Sequence, residues 1–270
     1  MHDTIPPKRR YEFETPVDQM PPPPDHTQLP DTDGAMVNSL QHSQSNLLTE
    51  SLRPKLLELH PDGKFFVASN VGIYYHFTEP VLAGCKSPDW CYVPGVGQML
   101  DGRFRRSYVL WKEVLKPCLV IEFVSGDGSE EHDRTPHTGK FWIYEQVIHA
   151  TYYAIYDVQI PSIELYQWES QGYRAVPANA NGYYPVPLMG IELGLWDQTY
   201  RKVKVPWLRA WDAGTGKMLP IAEENIEDLE AGLEGIRELL DEQVAETEKE
   251  RKRAERLAAK LRALGINPEA

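Results

Sequence analysis

The sequence predicts a mixed α/β protein, an α+β arrangement around a mixed sheet, ending in one long helix. Three observations carry this. A leucine stripe at helical spacing covers residues 38–59, short aromatic and β-branched runs with one helical interruption fill residues 64–176, and a heptad pattern starts at Ile226.

The first 30 residues include "MPPPPDHTQLPD", which has no apolar period and is expected to form an extended, disordered arm, with order beginning near "DTDG". From Asn38, Leu40, Leu47, Leu48, Leu52, Leu56 and Leu59 fall on one helical face. Pro54 is expected to kink this helix or split it in two, because proline lacks the N–H that a helix interior uses. "KFFVASNVGIYYHF" alternates and reads as a strand, "DWCYVPGV" as a short strand ending in turn residues, and "CLVIEFVS" as a strand buried on both faces. A helix follows over 139–148, with Phe141, Ile143, Tyr144 and Val147 as its apolar face. "TYYAIYDV" is a further strand, and "SIELYQWESQGYRAV" a hairpin turning near Ser170 to Gly172. The domain therefore spans 31–215.

Residues 216–270 are of another kind. Heptads counted from Ile226 put Leu233, Leu240, Thr247, Ala254 and Leu261 at a, and Leu229, Ile236, Gln243, Glu250, Leu257 and Leu264 at d. "EKERKRAERLAAK" continues the helix with mixed charge, and "GINPEA" ends it. A seam that is apolar at both ends and polar in the middle is expected to pair with a second copy as a coiled-coil homodimer, or to fold back on its own domain. These residues leave the direction of pairing open.

With 270 residues, 41% of them hydrophobic, the chain can bury one substantial core or two small ones. No apolar run is long enough to span a membrane and the N-terminus lacks the apolar segment of a signal peptide, so a cytoplasmic protein is expected. Cys85, Cys91 and Cys118 are odd in number and lack CxxC spacing, which argues against a disulfide framework or a zinc cluster. The net charge of −12 is uneven: residues 31–220 hold 17 basic and 21 acidic groups, residues 221–270 hold 8 and 14. The near balance of the domain leaves a polyanionic substrate open.

Glu122 is the one charged residue in the apolar run Cys118–Val124, and a carboxylate in a doubly covered strand needs a partner. Asp89, in "SPDW", opens a short strand that could lie beside it. Two carboxylates on neighbouring strands suit a hard divalent cation such as Mg²⁺. A turn aspartate and a glutamate paired with Lys or Arg would account for the same residues. Lys140 opens the "GKFWIYEQV" helix, where it can lean toward the acids, and phosphodiester cleavage needs a metal and a cation together. In "EHDRTPH", His132, Asp133 and His137 are irregularly spaced polar loop residues and read as solvated. His42 reads as a surface histidine, Ser125 and Asp127 could line the strand end, and "GTGK" is a turn rather than a phosphate loop.

The order "PD", "VIEFVS", Lys140-x-x-x-Tyr144 and "YYAIYDV", with "DTDGAMVNSLQHSQS" before it and "AERLAAKLRALGINPEA" after it, resembles the Uma-two family of restriction endonuclease-like proteins, within the PD-(D/E)XK nuclease superfamily, over roughly residues 31–265. The resemblance implies a helix preceding an antiparallel sheet, an acidic pair at the end of adjacent strands, and metal-dependent cleavage of DNA. Pro88-Asp89 matches the "PD" element, Glu122 the second acid and Lys140 the helix lysine. Asp89 and Glu122 would then hold Mg²⁺ or Mn²⁺, with the backbone carbonyl of Phe123 as a further ligand, while Lys140 orients water or steadies the pentavalent state. Asp133 stands where relatives carry a supporting acid. One departure matters: the strand lysine of the wider superfamily, two places after Glu122, is Val124 here. Either Lys140 substitutes for it, or the fold is catalytically impaired and serves as a DNA-binding or protein-interaction module.

Overall fold

The computed structural model describes residues 39–76, 81–100 and 102–264. The proline-rich arm, the "DTDG" start and the "GINPEA" end lie outside the described residues.

Helix α1 (Ser39–Leu59) is one helix with Pro54 inside it, not two. Leu52 and Leu56, on either side of the proline, are both fully buried in one core with Leu48, so both halves are pressed onto the same sheet. Leu59, the last residue of the predicted stripe, is exposed.

The predicted strand over 64–77 becomes two: β1 (Phe65–Ala68) and β2 (Ile73–Tyr74), in different sheets. Between them Asn70 takes a left-handed conformation, φ 53°, which asparagine tolerates and which turns the chain. Then follow β3 (Cys85–Lys86), β4 (Trp90–Pro94), the small hairpin β5 (Met99–Leu100) and β6 (Arg103–Phe104), β7 (Tyr108–Val109), the single-turn α2 (Leu110–Glu113) and β8 (Leu119–Phe123). The expected 139–148 helix is α3 (Lys140–Ile143), running directly into a π turn over Tyr144–Ile148. β9 (Tyr152–Asp157), β10 (Ser162–Glu169) and β11 (Gly172–Ala175) match the predicted strand and hairpin.

These strands form one mixed six-stranded sheet, ordered β1-β4-β8-β9-β10-β11. It is antiparallel from β1 to β8, parallel between β8 and β9, and antiparallel again to β11. α1 covers one face, meeting Trp90, Leu119, Ile121 and Phe123. α3 and the π turn cover the other, where Phe141, Ile143, Tyr144 and Ile148 meet Cys91, Val93, Val120 and Val124. A strand between two covers has no solvent face, which is why β8 reads as a continuous apolar run.

A second sheet, β12 (Tyr184–Val186), β13 (Ile191–Tyr200) and β14 (Val203–Asp212), completes the α1-side core with Ile191, Leu193, Leu208 and Ala210. Its sequence hides the strands. Pro206 sits inside β14, and Gly194 inside β13, where a Cβ would lie 2.5 Å from the Tyr183 ring and 2.8 Å from Trp211. α4 (Ala222–Ala263) then leaves the domain. Its root is tied down by Arg209, fully buried, which donates to both Glu224 carboxylate oxygens at 2.9 and 2.8 Å. Among the described residues no helix is long and apolar enough to cross a membrane.

Candidate functional site

The antiparallel register of β4 and β8 brings the two predicted acids together. Tyr92 faces Leu119, Cys91 faces Val120 and Trp90 faces Ile121, so Asp89, one residue earlier, stands opposite Glu122. Alternation puts both on one face: Cys91 and Val93 share Asp89's parity, Val120 and Val124 share that of Glu122, and all four belong to the core under α3. The face that covers Glu122 is therefore the face that carries Lys140.

Each acid is held in place. Asp89 Oδ2 accepts the backbone N–H of Phe123 at 2.6 Å, and Glu122 Oε1 accepts the Tyr144 hydroxyl at 2.7 Å. Tyr144 opens the π turn; its hydroxyl reaches down to the sheet from there. Lys140 Nζ lies 3.4 Å from Glu122 Oε2, 3.0 Å from Glu130 Oε1 and 3.5 Å from Glu131 Oε1. Position 124 is Val, and the lysine beside Glu122 comes from α3.

Gly139 sets the position of Lys140. The loop before it packs so closely that a Cβ at 139 would lie 2.3 Å from the Asp133 carbonyl oxygen and 2.7 Å from the Thr135 nitrogen. The Gly139 N–H donates to the Thr135 carbonyl at 2.8 Å, closing the turn that starts α3.

Burial dominates the electrostatics. Glu122 and Asp89 are 2% and 6% exposed. Removal from water pushes Glu122 up to about 8, against the pull of Lys140 and with added repulsion from Asp89. The same cause raises Asp89 to about 6, opposed by the Phe123 N–H and Lys140. Burial works against the Lys140 ammonium, yet Glu122 and Glu130 more than offset it and hold its pKa above the ordinary lysine value. Lys140 is a cation, and burial disfavours the charged forms of Glu122 and Asp89.

One member of the cluster is unexpected. Glu131, in the loop read as solvated, is 1% exposed; its Oε1 faces Lys140 and its Oε2 has no hydrogen-bond partner. The Tyr153 hydroxyl donates to the Glu131 carbonyl at 2.9 Å and anchors the loop. No local signal marks Glu131, because its burial comes from a loop folding over the sheet. Asp133 does not join the cluster: its Oδ1 accepts from the N–H and hydroxyl of Thr135, at 2.8 and 2.6 Å. His132 is exposed and bonds Glu164 at 2.9 Å, His137 packs on Trp142, and Asp127 closes an exposed turn on Ser129. His42 is an exposed helix residue bonded to Asn46.

Among the described residues, no group of three or more His, Cys, Asp or Glu side chains is placed to hold one metal ion. The donors the structure brings together are the two facing carboxylates of Asp89 and Glu122. That set suits Mg²⁺, which keeps several waters and takes one or two carboxylates from a protein. Two buried acids, Glu122 and Glu131, share Lys140 with the exposed Glu130, and the second carboxylate oxygen of Glu131 has no hydrogen-bond partner.

No curated protein matches the chain. Among solved structures, a putative nuclease belonging to DUF820 from Anabaena variabilis is similar at a TM-score of 0.38 and 12% identity, over 57% of this chain and 76% of that one. The profile of a family described as putative restriction endonuclease matches residues 17–203, well over half of the chain. By that match the chain belongs to the Uma2 family.

Proposed function

We propose that this protein is a Mg²⁺- or Mn²⁺-dependent DNA endonuclease of the PD-(D/E)XK type, hydrolysing phosphodiester bonds at the Asp89–Glu122–Lys140 cluster. The observation that carries this reading is the convergence of the two acids on one face, with Lys140 Nζ 3.4 Å from Glu122. Asp89 and Glu122 would hold the ion, with the Phe123 carbonyl as an additional donor. When bound, the metal lowers the pKa of water and offsets phosphate charge. The remaining work falls to the chain. The Phe123 N–H and Tyr144 hydroxyl fix the orientation of the two carboxylates. Lys140, held in its charged form by the surrounding acids, acts as a cation toward the phosphoryl oxygens or orients the attacking water, and not as a base. Self-association through α4 belongs to the same reading, since two sites related by a twofold axis can cut both strands.

The test is plasmid cleavage with Mg²⁺ or Mn²⁺. Wild type is expected to nick or cut, and Glu122→Ala to lose about 10²-fold or more. Equal cleavage by the two proteins would overturn the reading.

A second reading is favoured by one observation: three carboxylates already engage Lys140, and the described residues hold no three-residue metal group. On this reading the fold is a catalytically silent DNA-binding or partner-binding module. Titration calorimetry separates the two, because the module binds DNA in a salt-dependent way without binding Mn²⁺.

A further inference from the structure

Among the described residues, the apolar side chains of α4 from Ile226 to Val244 stand open to solvent. Ile226, Leu229, Leu233, Ile236, Leu239, Leu240 and Val244 are each more than half exposed, so the fold-back alternative does not apply to this stretch. Ile226, Leu229, Leu233, Ile236 and Leu240 are spaced three and four apart, the spacing of a two-helix seam, over about 20 Å at 1.5 Å per residue. We infer that Ile226–Val244 of α4 is a docking surface for a second copy of this chain, bound parallel and in register. The inference deepens the self-association named above by giving it an extent and a direction.

The charge and size pattern flanking the seam chooses the direction. In a parallel pair each g residue faces the e residue five places on in the partner. Leu239 at g then meets Val244 of the partner subunit, which covers two apolar residues the a/d seam leaves out. Glu246 at g meets Arg251 of the partner subunit, an opposite-charge pair. Asn225 faces Glu230, Gly232 faces Arg237 and Arg253 faces Ala258, so no like charges meet along these edges. An end-to-end antiparallel pair does the reverse: Arg237 opposes Arg251, Glu246 opposes its own copy, and Leu240 is set against Glu250. The parallel pairing is also limited in length. Glu250 at d would face its own copy, which ends the apolar seam there.

The parallel choice puts both domains at the same end of the helix pair, since each helix root is fixed to its own domain by Arg209–Glu224. Two acidic clusters are thereby brought to one side, as a double-strand cut requires.

Sedimentation of the full chain at roughly 50 µM is expected to give twice the chain mass, and Leu233→Asp with Ile236→Asp to give the single chain mass with unchanged circular dichroism of the domain. Both positions are exposed in the single chain, so folding does not depend on them. Direction is read by oxidative crosslinking in a Cys85→Ser background, which removes the accessible native thiol. Leu229→Cys alone is expected to form a covalent dimer, because in-register copies bring position 229 to itself. A monomeric wild type, or a dimer that survives the two aspartates, overturns the surface. A crosslink that forms only when Leu229→Cys is mixed with Leu261→Cys overturns the direction. None of these readouts depends on DNA cleavage, so failure here is distinct from failure of the nuclease reading.

Discussion

The Asp89 carboxylate accepts the Phe123 backbone N–H at 2.6 Å, one residue beyond the Glu122 that it faces across the strand pair. The acid is thus a structural clasp between β4 and β8 as well as a proposed ligand, and the two roles can be separated. Asp89→Asn keeps an acceptor for the amide but removes the negative charge. It is expected to stay within about 1 kcal/mol of wild-type stability while losing Mn²⁺ binding. Asp89→Ala leaves a buried N–H unpaired and is expected to lose about 1–3 kcal/mol in addition. Urea denaturation and calorimetry on both variants check this.

Ion-free stability should fall with rising pH. The ordinary values for Glu and Asp are 4.5 and 3.8, and burial lifts Glu122 to about 8 and Asp89 to about 6. Between the lower and upper values the folded state binds more protons than the unfolded chain, so unfolding gains as pH rises through that window. Glu122→Gln has no such proton to hold. Melting curves in chelator from about pH 5 to about pH 9 are expected to decline in wild type and to flatten by about 1–3 kcal/mol in Glu122→Gln. An equally steep decline in the variant would show that Glu122 is not the buried acid responsible.

Tyr144→Phe removes the hydroxyl that holds Glu122 Oε1 and little else, because its ring stays packed beside Tyr153. Orienting partners of metal ligands typically contribute 10- to 100-fold to affinity, and a loss of about tenfold in Mn²⁺ binding is expected. Fluorescence or calorimetric titration would detect it, and unchanged affinity would remove Tyr144 from the site.

Gly139→Ala is expected to cost about 3 kcal/mol or more, since its Cβ meets backbone rather than a movable side chain at 2.3 Å. The loop carrying Glu131 and the start of α3 would have to separate, so metal affinity should drop with stability. Proteolysis within residues 127–139 would report the opened loop.

At the root of α4, Glu224→Gln leaves the buried Arg209 guanidinium without its countercharge. A fully buried pair loses about 3–5 kcal/mol on such a change; Glu224 is a quarter exposed, and about 2–4 kcal/mol is expected. Differential scanning calorimetry of the full chain measures it, and a shift under about 1 °C would place the anchor elsewhere.

The amino-acid sequence alone determined the strand carrying Glu122, since only a doubly covered strand tolerates six apolar neighbours around one acid. It also determined the helix that presents Lys140, the β9–β11 order and the long C-terminal helix, because each of these is a local period that survives in one dimension. The family resemblance rested on the same local motifs. Only the tertiary structure decided the rest. Whether Asp89 and Glu122 share a face depends on register between strands 33 residues apart, which no local period encodes. Pro54 stays inside one helix because core burial on both sides outweighs a missing hydrogen bond, and the alternating run at 64–77 divides at Asn70 because its halves join different sheets. Glu131 looks like any loop acid in sequence. It is buried against Lys140 because Gly139 lets the loop close and Tyr153 holds it there, and both conditions exist only after the sheet has formed.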